Sequence, residues 1–385
     1  MAEDLRDGVR GALPREKMAP EVRKYRDYIE MKPGAPLYMQ EFGFYCLDRW
    51  RREEGLDPGA DLASLFGFDK PAHCMVGNLG GCEAPFVPEF KEEVLEDRGE
   101  HELVRDKAGR QVLYFKGRRS GFMPQYVGHP VRDMKSWEEN CLWRMDPGSP
   151  ERAARLEKAV PPALEAAKKG FVVEQYIVGG YMYLRSLIGG EDLLYKFYDD
   201  PKLIHACMEQ WLKVADRTME YYQKHLSYDF LLLDEDVCYN HGPLISPDMI
   251  REFLIPYYQQ LLTNCLARRL DRTRPIRYHM ASDGYVDPVL PLYREAGMGK
   301  CSPFERAAGT DVVRTGREYP DLLISGGLDK REMAKGRDAI DRMLESILPV
   351  MRERGGYIPT CDHGVPEEVK LDDYIYMRRR MREWA

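Results

Sequence analysis

Two short segments near the end of the sequence, Tyr278-His279-Met280-Ala281-Ser282-Asp283-Gly284 and Ile358-Pro359-Thr360-Cys361-Asp362-His363-Gly364, each place a metal-competent side chain where an apolar run breaks into polar residues and glycine. In a barrel of parallel strands such breaks fall at the mouth, where catalytic groups collect. Neutral imidazole and thiolate together suit zinc. His279 and Cys361 are therefore the first two expected metal ligands. Taken singly, each also reads as packing, a satisfied core histidine and a small buried thiol.

The elements that must position these groups follow a repeating pattern. From about residue 171 short apolar runs alternate with long amphipathic stretches, as in repeated βα units around a parallel sheet. Strands are expected at 171–178, 229–233, 276–279, 322–325 and 356–360, and helices at 201–225, 288–296, 331–354 and from about 372. Ser246-Pro247-Asp248 combines an N-cap with proline at the first helical position, which predicts a helix over 246–269. So much repetition predicts an α/β fold, a (β/α)8 TIM-type barrel, with Pro36-Leu37-Tyr38-Met39-Gln40 as its first strand. Residues 93–115 read instead as an antiparallel meander with glycine turns at Gly99 and Gly109. The expected organisation is a charged helical extension at 1–34 and the barrel at 35–385, with the β insertion at about 88–130 capping the site.

Composition narrows the function classes. The chain has 385 residues, 44% hydrophobic and 31% charged, the balance of an ordinary globular protein. Its formal net charge of −7 offers no general attraction to nucleic acid or to an anionic membrane. The first twenty residues are too charged for a signal peptide, and no window approaches the roughly 20 apolar residues that cross a bilayer. A cytoplasmic protein is expected. The nine cysteines form no CxxC pair and read as thiols of a reducing compartment. Gly179-Gly180 and Gly189-Gly190 lack a GxGxxG fingerprint and are read as turns, not as a nucleotide site.

His241-Gly242-Pro243-Leu244-Ile245-Ser246-Pro247-Asp248-Met249, followed by Phe253, Pro256 and Tyr257, resembles the uroporphyrinogen decarboxylase superfamily. Gly326-Gly327-Leu328-Asp329-Lys330 and Cys361-Asp362-His363-Gly364-Val365-Pro366 strengthen the resemblance. Porphyrinogen decarboxylases carry an arginine-bearing motif just after the first strand. This chain has Met39-Gln40-Glu41-Phe42-Gly43-Phe44-Tyr45 there, and Glu41 would repel a polycarboxylate. The other branch is the zinc-dependent methyltransferases that exchange methyl groups with a corrinoid protein. Those have His-x-Cys at one strand end and a further Cys at the last. The resemblance retains His279 and Cys361, but Ala281 stands where the middle Cys belongs.

A catalytic zinc needs three protein ligands. Glu235, next to the apolar residues 230–233, is the expected third, with Asp283 and His363 in reserve; a helix cap or a salt bridge is an equal reading for Glu235. Such a site is harder than a thiolate-rich one and better at assisting an oxygen leaving group. With residues 89–96 and 119–125, the pattern is similar to the first methyltransferases of aryl O-demethylation systems. That resemblance implies a methoxylated aromatic substrate, Zn2+, and cobalamin supplied by a partner corrinoid protein. Asp236, Asp283 and His363 are the expected proton donors to the departing oxygen. Phe42, Phe44, Tyr45, Tyr176, Tyr181 and Tyr183 are expected to hold the arene, or else to pack the core or lid. Arg118, Arg119 and Met123 are placed at the substrate, the arginines pairing with a ring carboxylate, docking the corrinoid protein, or lying on a solvated edge. A small-acid decarboxylase and a non-catalytic ligand-binding barrel are the competing readings, and a homodimer stays open.

Overall fold

The computed structural model describes residues 13–119 and 123–385, so residues 1–12 of the expected extension and Ser120, Gly121 and Phe122 lie outside the described residues. Among the described residues, seven strands form one parallel sheet in chain order. They are β1 (His73–Leu79), β2 (Val172–Val178), β3 (Phe230–Asp234), β4 (Arg277–Ala281), β5 (Met298–Phe304), β6 (Leu323–Gly326) and β7 (Tyr357–Ile358). The sheet curls. Helices fill the crossovers, among them Pro201–Tyr222, Ile255–Arg268 and Arg337–Arg354. Parallel strands sandwiched in this way are covered on both faces, which is why residues 230–233 are apolar throughout and fully buried.

The expected first strand is corrected. Residues 36–40 do not pair as a strand; the first strand of the sheet is β1. The extended segment runs between the sheet's two ends and bonds to each by isolated contacts. Met39 N–H donates to Asp69 Oδ2 (2.6 Å) ahead of β1. Cys361 N–H donates to Glu41 Oε1 (2.7 Å), and Val365 N–H to the Gly43 carbonyl (2.9 Å), beyond β7. Pro36 has no N–H for a ladder, and the segment's polar groups bond instead to scattered side-chain and backbone partners, among them the Trp384 carbonyl and the Asp69 N–H. The eight-stranded barrel is thus present as a curled sheet of seven. β5 was not foreseen, because Gly299, Lys300, Ser302 and Pro303 hide its strand pattern. The helix expected over 246–269 starts at the Ser246 cap but divides into Pro247–Phe253 and Ile255–Arg268. Pro256 has no N–H to bond back along the helix.

The antiparallel meander is found, in the crossover after β1. Its strands are Glu93–Arg98, His101–Arg105, Gln111–Phe115 and Gln125–Gly128, paired in that order, and Gly99 and Gly109 have the positive φ their turns require. At the opposite end of the sheet, helix Pro20–Ile29 buries Val22, Tyr25 and Tyr28 against Ala72, Val172, Phe230, Leu323 and Ile358. Arg26 fastens it there, donating to Asp229 Oδ1 and to the carbonyl of Phe171 (both 2.8 Å). No described helix is long and apolar enough to cross a membrane.

Candidate functional site

At the C-terminal ends of the strands lies a cavity of about 550 Å³. The sheet contributes Asp234, Asp236, Ser282, Asp283 and His363, and the meander region contributes Arg110, Met123, Tyr126 and His129. A second cavity of about 130 Å³ lies inside the sheet, lined by Glu174, His279, Lys300, Ser302 and Ser325. Phe42 and Pro303 border both.

Strand periodicity explains which acids reach the mouth. Side chains alternate across a strand, and at the end of β3 Asp234 and Asp236 line the cavity while Glu235 between them is turned into the packing behind it. Glu235 Oε2 accepts from Tyr258 Oη–H (2.6 Å) and Oε1 from Tyr181 N–H (3.2 Å). Burial raises its pKa to about 7 despite those donors. Asp234 accepts a 2.6 Å hydrogen bond from Tyr176. Asp236 is held by Arg185 at 3.0 Å and has φ +43°, a left-handed conformation that is rare outside glycine and often marks functional positions. Burial raises the pKa of Asp236, and the nearby Asp283 adds to the rise while Arg185 opposes it.

The metal ligands expected from the sequence are not brought together. Among the described residues, the one trio of His, Cys, Asp or Glu whose ligand atoms lie within 4.8 Å of one another is Asp283, Glu305 and His363. His279 faces inward but sits two residues before Ala281 on β4, so it reaches the lower cavity, roughly 6–7 Å below that strand end at about 3.3 Å per residue. Its Nε2 is 2.7 Å from Ser302 Oγ. Cys361 is fully buried, and burial together with Glu41 pushes its thiol pKa up, away from the thiolate form. Glu41 itself does not face the cavity; it is tied to Cys361 N–H and to Tyr374 Oη–H (both 2.7 Å), so the repulsion expected of it is not at the site.

In the observed trio, His363 Nδ1 is 3.3 Å from Asp283 Oδ1 and 3.8 Å from Glu305 Oε1. The nitrogen is buried and makes no hydrogen bond. The Asp283 carboxylate beside it raises the histidine's pKa against the effect of burial. Two of these residues were named from the sequence as reserve ligands. Glu305 was missed because it follows the unrecognised β5.

Of the residues expected around the substrate, Phe42 and Met123 line the cavity, and the Phe42 ring lies 4.7 Å from that of His363. Tyr45 stacks on the same histidine at 6.1 Å. Phe44 packs with Trp50, Phe66, Phe68 and Tyr374 in the core. Tyr181 and Tyr183 are core residues too, and Tyr176 donates a hydrogen bond to Asp234. Arg119 pairs with Glu92 and Glu102 on the meander surface, and Arg118 is exposed in the turn beside it. The arginines at the cavity are Arg110 and Arg185, which sequence reasoning did not select. Each is neutralised by a carboxylate, Asp106 at 2.7 Å and Asp236 at 3.0 Å.

The profile of the uroporphyrinogen decarboxylase (URO-D) family matches residues 130–384. The chain belongs to this family. A solved methyltransferase from Methanosarcina mazei shares the URO-D chain's fold with a TM-score of 0.57 at 12% identity, covering 94% of this chain and 98% of that one. A B12-independent methionine synthase from Shewanella sp. W3-18-1 aligns with a TM-score of 0.33 at 11% identity, over 76% of this chain and 74% of its own. No curated protein matches the sequence.

Proposed function

We propose that the protein is a methyltransferase that moves the methyl group of an aryl methyl ether to cob(I)alamin carried by a partner corrinoid protein. The observation that carries this reading is the mouth cavity, where Phe42, Met123 and Met182 face the acidic strand ends around Asp283, Glu305 and His363. In the reaction the methyl–oxygen bond breaks, the methyl carbon bonds to cobalt, and the aryl oxygen leaves with the electron pair. Phenols titrate near pH ~10, so the departing oxygen needs stabilisation or a proton. Asp236 lines the cavity and, with its pKa raised by burial, is the acid assigned to that proton. Arg185 fixes that carboxyl in place. The apolar wall positions the ring and excludes water.

His363, Asp283 and Glu305 offer one nitrogen and two carboxylate donors, a set that fits zinc in place of the trio expected from the sequence. Zinc bound there would supply Lewis acidity toward the ether oxygen. The cavity does not suit a polycarboxylate porphyrinogen, because Asp234, Asp236 and Asp283 line it against only two arginines.

The test combines metal analysis with a spectroscopic assay. Zinc-supplemented protein, cob(I)alamin and a panel of methoxybenzoates and methoxyphenols should give methylcobalamin for at least one ether, and Asp236→Asn should slow it by about 100-fold. His363→Ala should reduce bound zinc well below one equivalent, whereas Cys361→Ser should retain it. Full zinc occupancy without methyl transfer across the panel overturns the reading.

A further inference from the structure

The smaller cavity is not used by the chemistry above, yet it gathers charged and polar groups inside the sheet. Glu174 of β2, His279 of β4 and Lys300 of β5 meet in it, and Tyr25 of the N-terminal helix stands at its wall. Lys300 Nζ donates to Glu174 Oε1 (2.9 Å) and lies 3.5 Å from Tyr25 Oη. One ammonium N–H is left over, since lysine carries three. His279, only 6% exposed, has a buried Nδ1 that makes no hydrogen bond, 3.4 Å from Glu174 Oε1. His73 Nδ1 is buried and unbonded as well. Ser302 and Ser325 add hydroxyl groups. Glu174 is the single carboxylate lining the pocket, against one ammonium, two imidazoles and two serine hydroxyls, and unsatisfied buried polar groups are costly.

We propose that this pocket is a subsite for a carboxylate, the acidic end of the substrate, held by Lys300 and His279 while the rest of the molecule passes Phe42 into the larger cavity. The substrate class narrows accordingly to methoxylated aromatic acids over neutral methoxyphenols. Only the fate of the methyl end rests on the proposed methyl transfer; the subsite itself does not.

Calorimetric titration of the full-length protein with benzoate, 4-methoxybenzoate, anisole and 4-methoxyphenol tests the assignment, with the His279 imidazole signals followed by NMR. Both carboxylates should bind at least tenfold more tightly than the neutral compounds and shift the His279 signals. Ser325→Val, which narrows the pocket without removing charge, should abolish that advantage. So should the double variant Glu174→Gln/Lys300→Met, which removes the ion pair without stranding one charge. Equal affinities for acids and phenols, or a carboxylate preference unchanged in both variants, would overturn the subsite and leave a pocket holding water only. Tight benzoate binding without methyl transfer from any methoxybenzoate would retain the subsite and remove the proposed reaction.

Discussion

Glu235 shows how one peptide unit separates a site residue from a buried structural one. Its carboxyl is enclosed by Tyr258 and the Tyr181 amide, and burial raises its pKa from 4.5 to about 7. In the unfolded chain it ionises near the lower value, so between the two the native state binds the extra proton and stability falls as pH rises through that window. The shift corresponds to about 3 kcal/mol when complete. Glu235→Gln, whose amide can bond to the same two groups, should remove this loss: urea unfolding should show the variant more stable than the parent by up to ~3 kcal/mol at pH 8 and nearly equal to it at pH 4. Lys300 presents the opposite case. Burial lowers its pKa, but Glu174 and Tyr28 beside it together carry it above the usual value. Lys300→Met alone should cost about 3–5 kcal/mol by leaving Glu174 buried and unpaired, and adding Glu174→Gln should recover most of it.

Helix Pro20–Ile29 is the element whose role the sequence understated. Expected only as part of an extension, it covers the N-terminal end of the sheet and supplies Tyr25 to the lower cavity. Its anchor is Arg26, which reaches Asp229 and the carbonyls of Gly170 and Phe171. Asp229 keeps Arg274 and the Val173 amide when Arg26 is removed. Arg26→Met should therefore destabilise by about 2 kcal/mol rather than by the full cost of a stranded charge, with an unchanged denaturant slope in equilibrium unfolding. The helices and strands from residue 171 onward were legible because their apolar periodicity is strong, but β1 and β5 were not. β5 includes Gly299, which has no side chain, and Lys300, Ser302 and Pro303, which line the lower cavity rather than an apolar face.

Across the whole molecule, the mouth cavity takes its walls from the curled sheet, the inserted meander, Phe42 of the extended segment, and Met182 and Arg185 of the helix Gly180–Ile188. Arg110 braces the meander wall, its guanidinium pairing with Asp106 and lying over the Tyr126 ring at 4.8 Å, and reaches Glu83 beyond β1 at 3.8 Å. Arg110→Ala should loosen this wall and raise KM for the ether about tenfold, a loss of roughly 1.4 kcal/mol, with little change in kcat if the wall only binds.

The sequence by itself determined the run of βα units, the family, and that acidic and imidazole groups cluster at strand ends; these follow from local periodicity and contiguous motifs. Tertiary structure decided which of those groups meet. Because strand side chains alternate and each residue advances the chain by about 3.3 Å, one step turns Glu235 away from the cavity that Asp234 and Asp236 line, and His279 falls to the level of the lower one. Asp283, Glu305 and His363 follow different strands, so their convergence depends on how the sheet curls and how three loops fold over its edge. No spacing along the chain encodes that distance.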